Sequence, residues 1–313
     1  MRRGRRPKLR ALKARGVAQR SGWRRGVPGA GGGVPSRKKS ATCARVAHSD
    51  RVTACLGCVS KPFFFLQWSH MNQLLQTTIL KAADELCPIR STGRPRTSHR
   101  DLLESFMTVL STGMQWRALT RIDFRTAHRH FTQWARRGVF ELAYHRLHRL
   151  KSRKTRSGDF VAIDTTFIKS IYGRDTIGPN PTDRGRMATK MIAAVDGSGL
   201  PIQLAFFKAN VSDHTALQRI LPLKGCKTTT RVYADKGFDS KAARRALRVT
   251  GCAPRVARRR RTTPLWHEIQ RRVVERFFSW LDKSRRLIVR YDFTIQSYAA
   301  WTWLACARLA SRR

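Results

Sequence analysis

Acidic residues are scarce in this chain. Its 313 residues hold 19 Asp+Glu against 64 Lys+Arg, a formal net charge of +45. Such a balance points to a polyanionic partner, because neutralising phosphates is the usual work of a Lys- and Arg-rich surface. A highly soluble basic protein or a ribosomal-type binder has the same charge, so charge by itself says nothing of catalysis. Long apolar runs are missing as well. Phe63-Phe64-Phe65-Leu66 is too short for a signal core or a membrane span. The seven cysteines are odd in number and scattered, which argues against a disulfide framework and for reduced thiols in an intracellular compartment. Cys55 and Cys58 have metal-ligand spacing, with Cys43 and His48 nearby, but no second CxxC or HxxxH pair follows to complete a zinc site.

The chain changes character along its length. Residues 1–70 carry 17 Lys/Arg and one acid, Asp50, around a Gly-Gly-Gly run. Without apolar periodicity such a segment cannot offset its chain entropy, so it reads as a disordered basic arm. Patterned sequence begins at Met71, an alternative start. Residues 71–150 read as helical and form a small helical domain. Thr97 or Ser98 caps a helix bearing Leu102, Leu103, Phe106, Met107 and Leu110 and stopped by Gly113. Asp123 or Thr126 caps another, with Ala127, Phe131, Trp134 and Ala135 inward and Gly138 as its stop. His128, Arg129, Arg136 and Arg137 are left for solvent or phosphate.

From 151 onward the period shifts. Phe160–Ser170, Ala188–Asp196 and Pro201–Ala209 read as three successive strands, the last two joined by the tight turn Asp196-Gly-Ser-Gly199. A helix at Asp213–Leu221, a strand at Arg231–Ala234, a helix at Ser240–Val249 and a short strand near Ala253–Ala257 follow. A long helix closes the pattern from about Trp266 to Arg286. This order predicts an α/β fold: a mixed sheet flanked by helices, matching a ribonuclease-H-like core over residues 151–313.

Three acids stand out against the basic background. Asp164 closes the apolar run Phe160–Ile163, Asp235 closes Val232-Tyr-Ala234, and Glu275 lies in the last helical pattern. A carboxylate at a buried strand end is costly unless a cation pairs with it. Carboxylates suit Mg²⁺, and two such ions activate the nucleophile and stabilise the leaving oxygen in phosphodiester chemistry. Strand ends are also where sites gather in open α/β sheets. Each acid has a plainer reading. Asp235 can cap the next helix. Glu275 falls opposite the apolar stripe Ile269, Val273, Phe277 and Trp280, where it can be a surface residue paired with Arg271 or Arg272. Asp159 and Asp239 read as turn or cap residues, Asp196 as a turn residue and Asp213 as a helix cap. Asp183 lies in a loop, Asn180–Gly185, that can equally contact DNA.

Taken in order, these motifs resemble those of a family: the DDE transposases of bacterial insertion sequences, of the insertion-sequence-five group. Ile163-Asp164-Thr-Thr resembles the block of the first catalytic Asp. Asn180–Gly185, Thr189-Lys190 and Val195–Pro201 resemble the segment after it. Tyr233-Ala-Asp235-Lys-Gly-Phe-Asp239 resembles the second block, and Val274-Glu275-Arg-Phe-Phe278 with Arg285-Arg286 and Arg290-Tyr-Asp292 the third. Gly93-Arg-Pro-Arg96, Thr112-Gly113, Trp116-Arg117 and Phe131-Thr-Gln-Trp134 resemble the family's helical domain.

The resemblance implies catalytic and metal-ligating roles for Asp164, Asp235 and Glu275 and two Mg²⁺ ions, with Mn²⁺ as substitute. It implies DNA contacts for Arg271, Lys283, Arg94, Arg96 and Arg117. It also implies double-stranded DNA as partner, as terminal inverted repeats and as target, a homo-oligomer on that DNA, and a cytoplasmic, nucleoid-associated enzyme without membrane contact. The sequence departs from the family where a Lys is expected seven residues after the Glu: that position is Asp282, with Lys283 beside it. Glu268 stands where a Tyr is frequent, and Trp116–Thr120 departs from the Trp-Arg-Asp-Leu-Pro pattern. These departures keep two alternatives in view, an inactive transposase-derived DNA-binding protein and a ribonuclease-H-like nuclease.

Overall fold

A computed structural model describes residues 72–89, 97–152, 160–226 and 228–312. The basic arm at 1–70 and its candidate cysteine site lie outside the described residues, as do Arg94, Arg96 and Asp159. The described residues belong to one compact unit, Ser60–Arg313.

Four helices come first: α1 (Gln73–Leu86), α2 (His99–Thr112), α3 (Phe124–Arg137) and α4 (Val139–Ser152). Their ends follow from local chemistry. Ser98 accepts the Asp101 N–H at the start of α2, and Asp123 accepts the Thr126 N–H at the start of α3. Gly113 and Gly138 close these helices at φ of 70° and 71°, a left-handed conformation that a side chain would oppose.

The sheet follows. Its strands are β1 (Phe160–Ser170), β2 (Gly178–Pro179), β3 (Met187–Asp196), β4 (Pro201–Lys208), β5 (Arg231–Ala234), β6 (Ala253–Val256) and β7 (Val289–Arg290). β3 pairs antiparallel with β1 and with β4, whereas β5 runs parallel to β1 and β6 parallel to β5. The sheet is therefore mixed. Helices α5 (Asp213–Ile220) and α6 (Lys241–Val249) cross over between strands, and α7 (Leu265–Asp282), α8 (Arg285–Ile288) and α9 (Ile295–Arg312) complete the chain.

Alternation along β1 assigns each side chain to a face. Ala162 and Ile168 enter a core shared with α1–α4, α7 and α9, while Val161 and Ile163 enter a second core with α5 and α6. The first core is rich in aromatics. Phe131 of α3 stacks on Trp301 of α9 at 3.9 Å, and Phe106 meets Trp134 edge-on at 5.3 Å. Phe131 and Trp134 are thus core groups. The first core runs without a break from the helical segment into the sheet.

Several features differ from the sequence expectation: the short strands β2 and β7 were not anticipated, and the long helix stops at Asp282 with a separate α8 beyond it. α9 was not anticipated; with Trp301, Leu304, Ala305 and Ala307 buried on successive turns it lacks a polar face. In α7 the buried line is His267, Val274 and Leu281 with Val273 and Phe277, and Ile269 is exposed. Relative to the predicted stripe the helix is rotated. Arg271, four residues after His267 and three before Val274, consequently lies along the inner face instead of opposite it.

Candidate active site

β1 and β5 pair in parallel from Phe160–Arg231 to Ile163–Ala234, where β5 ends; β1 continues to Ser170, so Asp164 lies within its strand and not at the strand end that the sequence suggested. The residue after each member of that last pair is an acid, Asp164 and Asp235. Adjacent parallel strands therefore deliver two carboxylates side by side from positions 71 residues apart. Asp164 lies on the face of β1 that α7 covers, in phase with Ala162.

Between the acids sits Arg271. Its Nη2 donates to Asp164 Oδ2 at 3.1 Å, and its Nη1 donates to Asp235 Oδ1 at 3.2 Å. Glu275 Oε1, one helical turn on, lies 3.7 Å from the same Nη2. One guanidinium thus faces three carboxylates drawn from β1, β5 and α7. The Arg271 side chain is 15% exposed and that of Asp164 21%, whereas Glu275 is open at 55%. Burial pushes the Asp164 carboxyl above its ordinary range; the Thr165 N–H and Arg271 pull it down, and neighbouring Asp235 adds to the rise.

The donor set is hard oxygen, which suits Mg²⁺ or Mn²⁺. A cation already lies at the point where the three acids meet, which shows that the position attracts positive charge. Among the described residues no group of three or more His, Cys, Asp or Glu is closed around a metal-sized point. The guanidinium, with its planar fork, accounts for that: it fills the space between the oxygens. The three acids offer the oxygen ligand type that a divalent ion takes.

The other predicted residues scatter. Lys283 caps the exposed end of α7, beside Asp282, whose carboxyl is pushed up by burial. Arg117 lies in a short 3₁₀ turn, Trp116–Ala118, exposed and 5.9 Å over the Phe124 ring. On the outer side of α3, His128, Arg129, Thr132, Gln133, Arg136 and Arg137 line an open recess of about 590 Å³.

Behind the site, on the opposite face of the sheet, lies a group the sequence did not single out. Ser212 holds the N-cap position that the sequence suggested for Asp213, which is instead the first residue of α5; its carboxylate accepts the Thr165 hydroxyl at 3.1 Å and the Lys190 ammonium at 2.8 Å. The only sequence signal was Thr189-Lys190, a lysine inside an otherwise apolar strand.

Comparison with known proteins adds the following. The family model described as "Transposase DDE domain" matches residues 155–310, and that described as "Putative transposase of IS4/5 family" matches residues 67–143. A curated relative, "Putative transposase for insertion sequence element IS402" of Burkholderia cepacia, is 37% identical over 144 residues, covering 43% of this chain and 68% of that protein. Among solved structures, the piggyBac transposase synaptic complex with hairpin DNA is similar over 64% of this chain and 52% of that one, at 14% identity and a TM-score of 0.38. No weight rests on a structural likeness of that size.

Proposed function

The chain belongs to the DDE transposases of insertion sequences, of the IS4/5 type, and from that premise we propose that Asp164, Asp235 and Glu275 are its catalytic, metal-holding carboxylates. The observation that carries this reading is the convergence of the three acids on one guanidinium, at 3.1, 3.2 and 3.7 Å. The family implies divalent metal; we assign Mg²⁺, with Mn²⁺ as substitute. When bound, the metal supplies Lewis acidity and an activated oxygen nucleophile.

The chemistry is two phosphodiester exchanges. Water attacks the phosphorus at the element's end; the bond to the 3′ oxygen breaks and a 3′-hydroxyl is freed. That hydroxyl then attacks a phosphorus of target DNA, forming a new phosphodiester and releasing a target 3′-hydroxyl. Asp164, the least exposed of the three acids, fixes the centre to the sheet. Glu275, on the open side, admits the substrate backbone. Arg271 neutralises the acids before substrate arrives and is close enough to meet a phosphate afterwards.

Around this centre we read the sheet as ribonuclease-H-like: three antiparallel hairpin strands, with two parallel strands on the other side of β1. We assign residues 71–150 to binding of the terminal inverted repeats. The basic outer face of α3 and the exposed Arg117 support that role, as does the charge of the chain. Arg94, Arg96 and Lys283 remain candidate phosphate contacts, and one copy per element end makes the DNA-bound form a homo-oligomer. No described helix is long and apolar enough to cross a membrane.

The test is cleavage of a duplex carrying the terminal repeats in Mg²⁺. Asp164→Asn and Glu275→Gln are expected to abolish it; cleavage retained by either variant would refute the assignment. Asp282, in place of the family's Lys, supports one second reading, a DNA-binding descendant without activity. Repeat binding with no cleavage in Mg²⁺ or Mn²⁺ would favour it.

A further inference from the structure

Lys190 is an anomaly in β3. Its side chain is 5% exposed, in a strand whose other members from Ala188 to Val195 are buried. Its ammonium donates to Asp213 Oδ1 at 2.8 Å and to the Val211 carbonyl, and lies 5.0 Å over the Phe167 ring. A pair this far from water is a poor source of stability, because apolar residues of the same volume often serve as well or better. What an apolar pair cannot do is accept a hydroxyl.

Asp213 accepts one. Thr165 Oγ1 donates to the same Oδ1 at 3.1 Å, and the Thr165 N–H donates to Asp164 Oδ1 at 2.8 Å. The other oxygen of Asp213 reaches the turn after β5. A Cβ built on Gly237 would stand 2.7 Å from Asp213 Oδ2, so the carboxylate lies against the backbone two residues beyond Asp235. On its far side the same turn is tied by Asp239, which accepts from Arg244 at 2.7 Å and from the Arg259 N–H at 3.0 Å. A single carboxylate therefore touches the residue after Asp164 within β1 and the turn that follows Asp235, from the face opposite Arg271. The buried lysine pairs with it and fixes its direction.

We propose that Asp213, held by Lys190, is a positioning residue that sets Asp164 against Asp235. It acts through Thr165 within β1 and through the close approach at Gly237 after β5. The inference rests on the reading of Asp164 and Asp235 as metal ligands and goes beyond it by naming what aligns them.

Two variants of the full chain test it. Thr165→Val removes one hydroxyl and leaves the ion pair intact. Lys190→Met combined with Asp213→Val replaces the pair by apolar groups, which should fold as well as the parent. Each variant is expected to weaken Mn²⁺ binding by about 10- to 100-fold, measured by calorimetry without DNA. Cleavage at saturating repeat duplex should fall by about 100-fold, with KM for DNA unchanged, as for a misplaced reacting group. Thr165→Ser, which restores the hydroxyl, should return both. If the double variant fails to fold, Thr165→Val decides alone. Mn²⁺ affinity and cleavage within about twofold of the parent in Thr165→Val overturn the proposal. Asp164→Asn separates the two readings: if it binds Mn²⁺ like the parent, the metal site itself is misassigned and the positioning role falls with it; if it loses binding while Thr165→Val does not, only the positioning role falls.

Discussion

Replacing Arg271 by glutamine removes the one cation that, among the described residues, faces all three acids. The consequence follows from exposure. Asp164 and Arg271 are 21% and 15% exposed, so their pair is largely withdrawn from water. Deleting one partner of such a pair leaves an uncompensated charge and costs about 3–5 kcal/mol. Asp235 and Glu275 are 46% and 55% exposed, and water screens them; each adds about 0–1 kcal/mol. The combined loss of about 3–7 kcal/mol corresponds, for a unit of this size, to a melting temperature lower by about 6–28 °C. The assay is thermal unfolding of parent and variant in a chelator, then in saturating Mn²⁺. A ligand at about 100 times its Kd stabilises the fold by about 2.7 kcal/mol. The variant should regain more than the parent does, because the metal no longer competes with a guanidinium for the same oxygens. For the same reason its Mn²⁺ affinity should exceed the parent's. A variant that melts with the parent in chelator, or that binds Mn²⁺ more weakly, would refute the counter-ion argument.

Other expectations concern the frame around the site. Arg290 is fully buried and donates to the Asp175 and Phe293 carbonyls, the Thr189 hydroxyl and the Asp175 carboxylate; Arg290→Met should cost about 3–5 kcal/mol in a denaturant titration, and a loss below about 1 kcal/mol would contradict this. Gly237→Ala should lower cleavage without lowering DNA affinity in a filter-binding assay, since its methyl would press on Asp213. Asp196 supplies a pH test. Burial would raise its carboxyl, but hydrogen bonds from His148, the Ser198 hydroxyl and the Leu200 N–H outweigh that and hold it below the ordinary range. A carboxyl lowered by folding stabilises above its unfolded pKa of about 3.9 and loses that contribution as pH falls through the folded value. Asp196→Asn should therefore melt below the parent at neutral pH, with a gap that closes below about pH 4. On α3, exchanging Arg129 and Arg136 for Gln should weaken DNA binding and flatten its salt dependence by about one to two units of slope; an unchanged slope would remove that face from the interface.

Much of the sheet was legible because its signals are local. β1 and β5 were bounded at their observed residues; an apolar run ending in an acid marks the end of β5, whereas β1 runs on past Asp164 to Ser170. Ser98, Asp123, Gly113 and Gly138 announced their helix ends in the same way. The apolar phase of α7 was not local. Ile269 and Val273 fit a stripe as well as Val274 and Leu281 do, and only packing on β1 and β3 chooses between them. That choice turned Arg271 inward. α9 escaped because a helix buried on nearly every side has no periodic contrast to detect. Asp213 escaped for a different reason: a residue at a helix start has an ordinary explanation, and its second role depends on Thr165 and Lys190, which are 48 and 23 residues away.

The burial of α9 against α4 also carries a timing. The apolar faces of α1, α3 and α4, with Phe131, Trp134 and Tyr144, find their cover in a helix made more than 140 residues after α4. At synthesis rates of about 5–20 residues per second, those aromatics wait roughly 7–30 s before their partner begins to exist. Throughout that interval the nascent chain presents a large unfilled apolar surface beneath a dense positive charge.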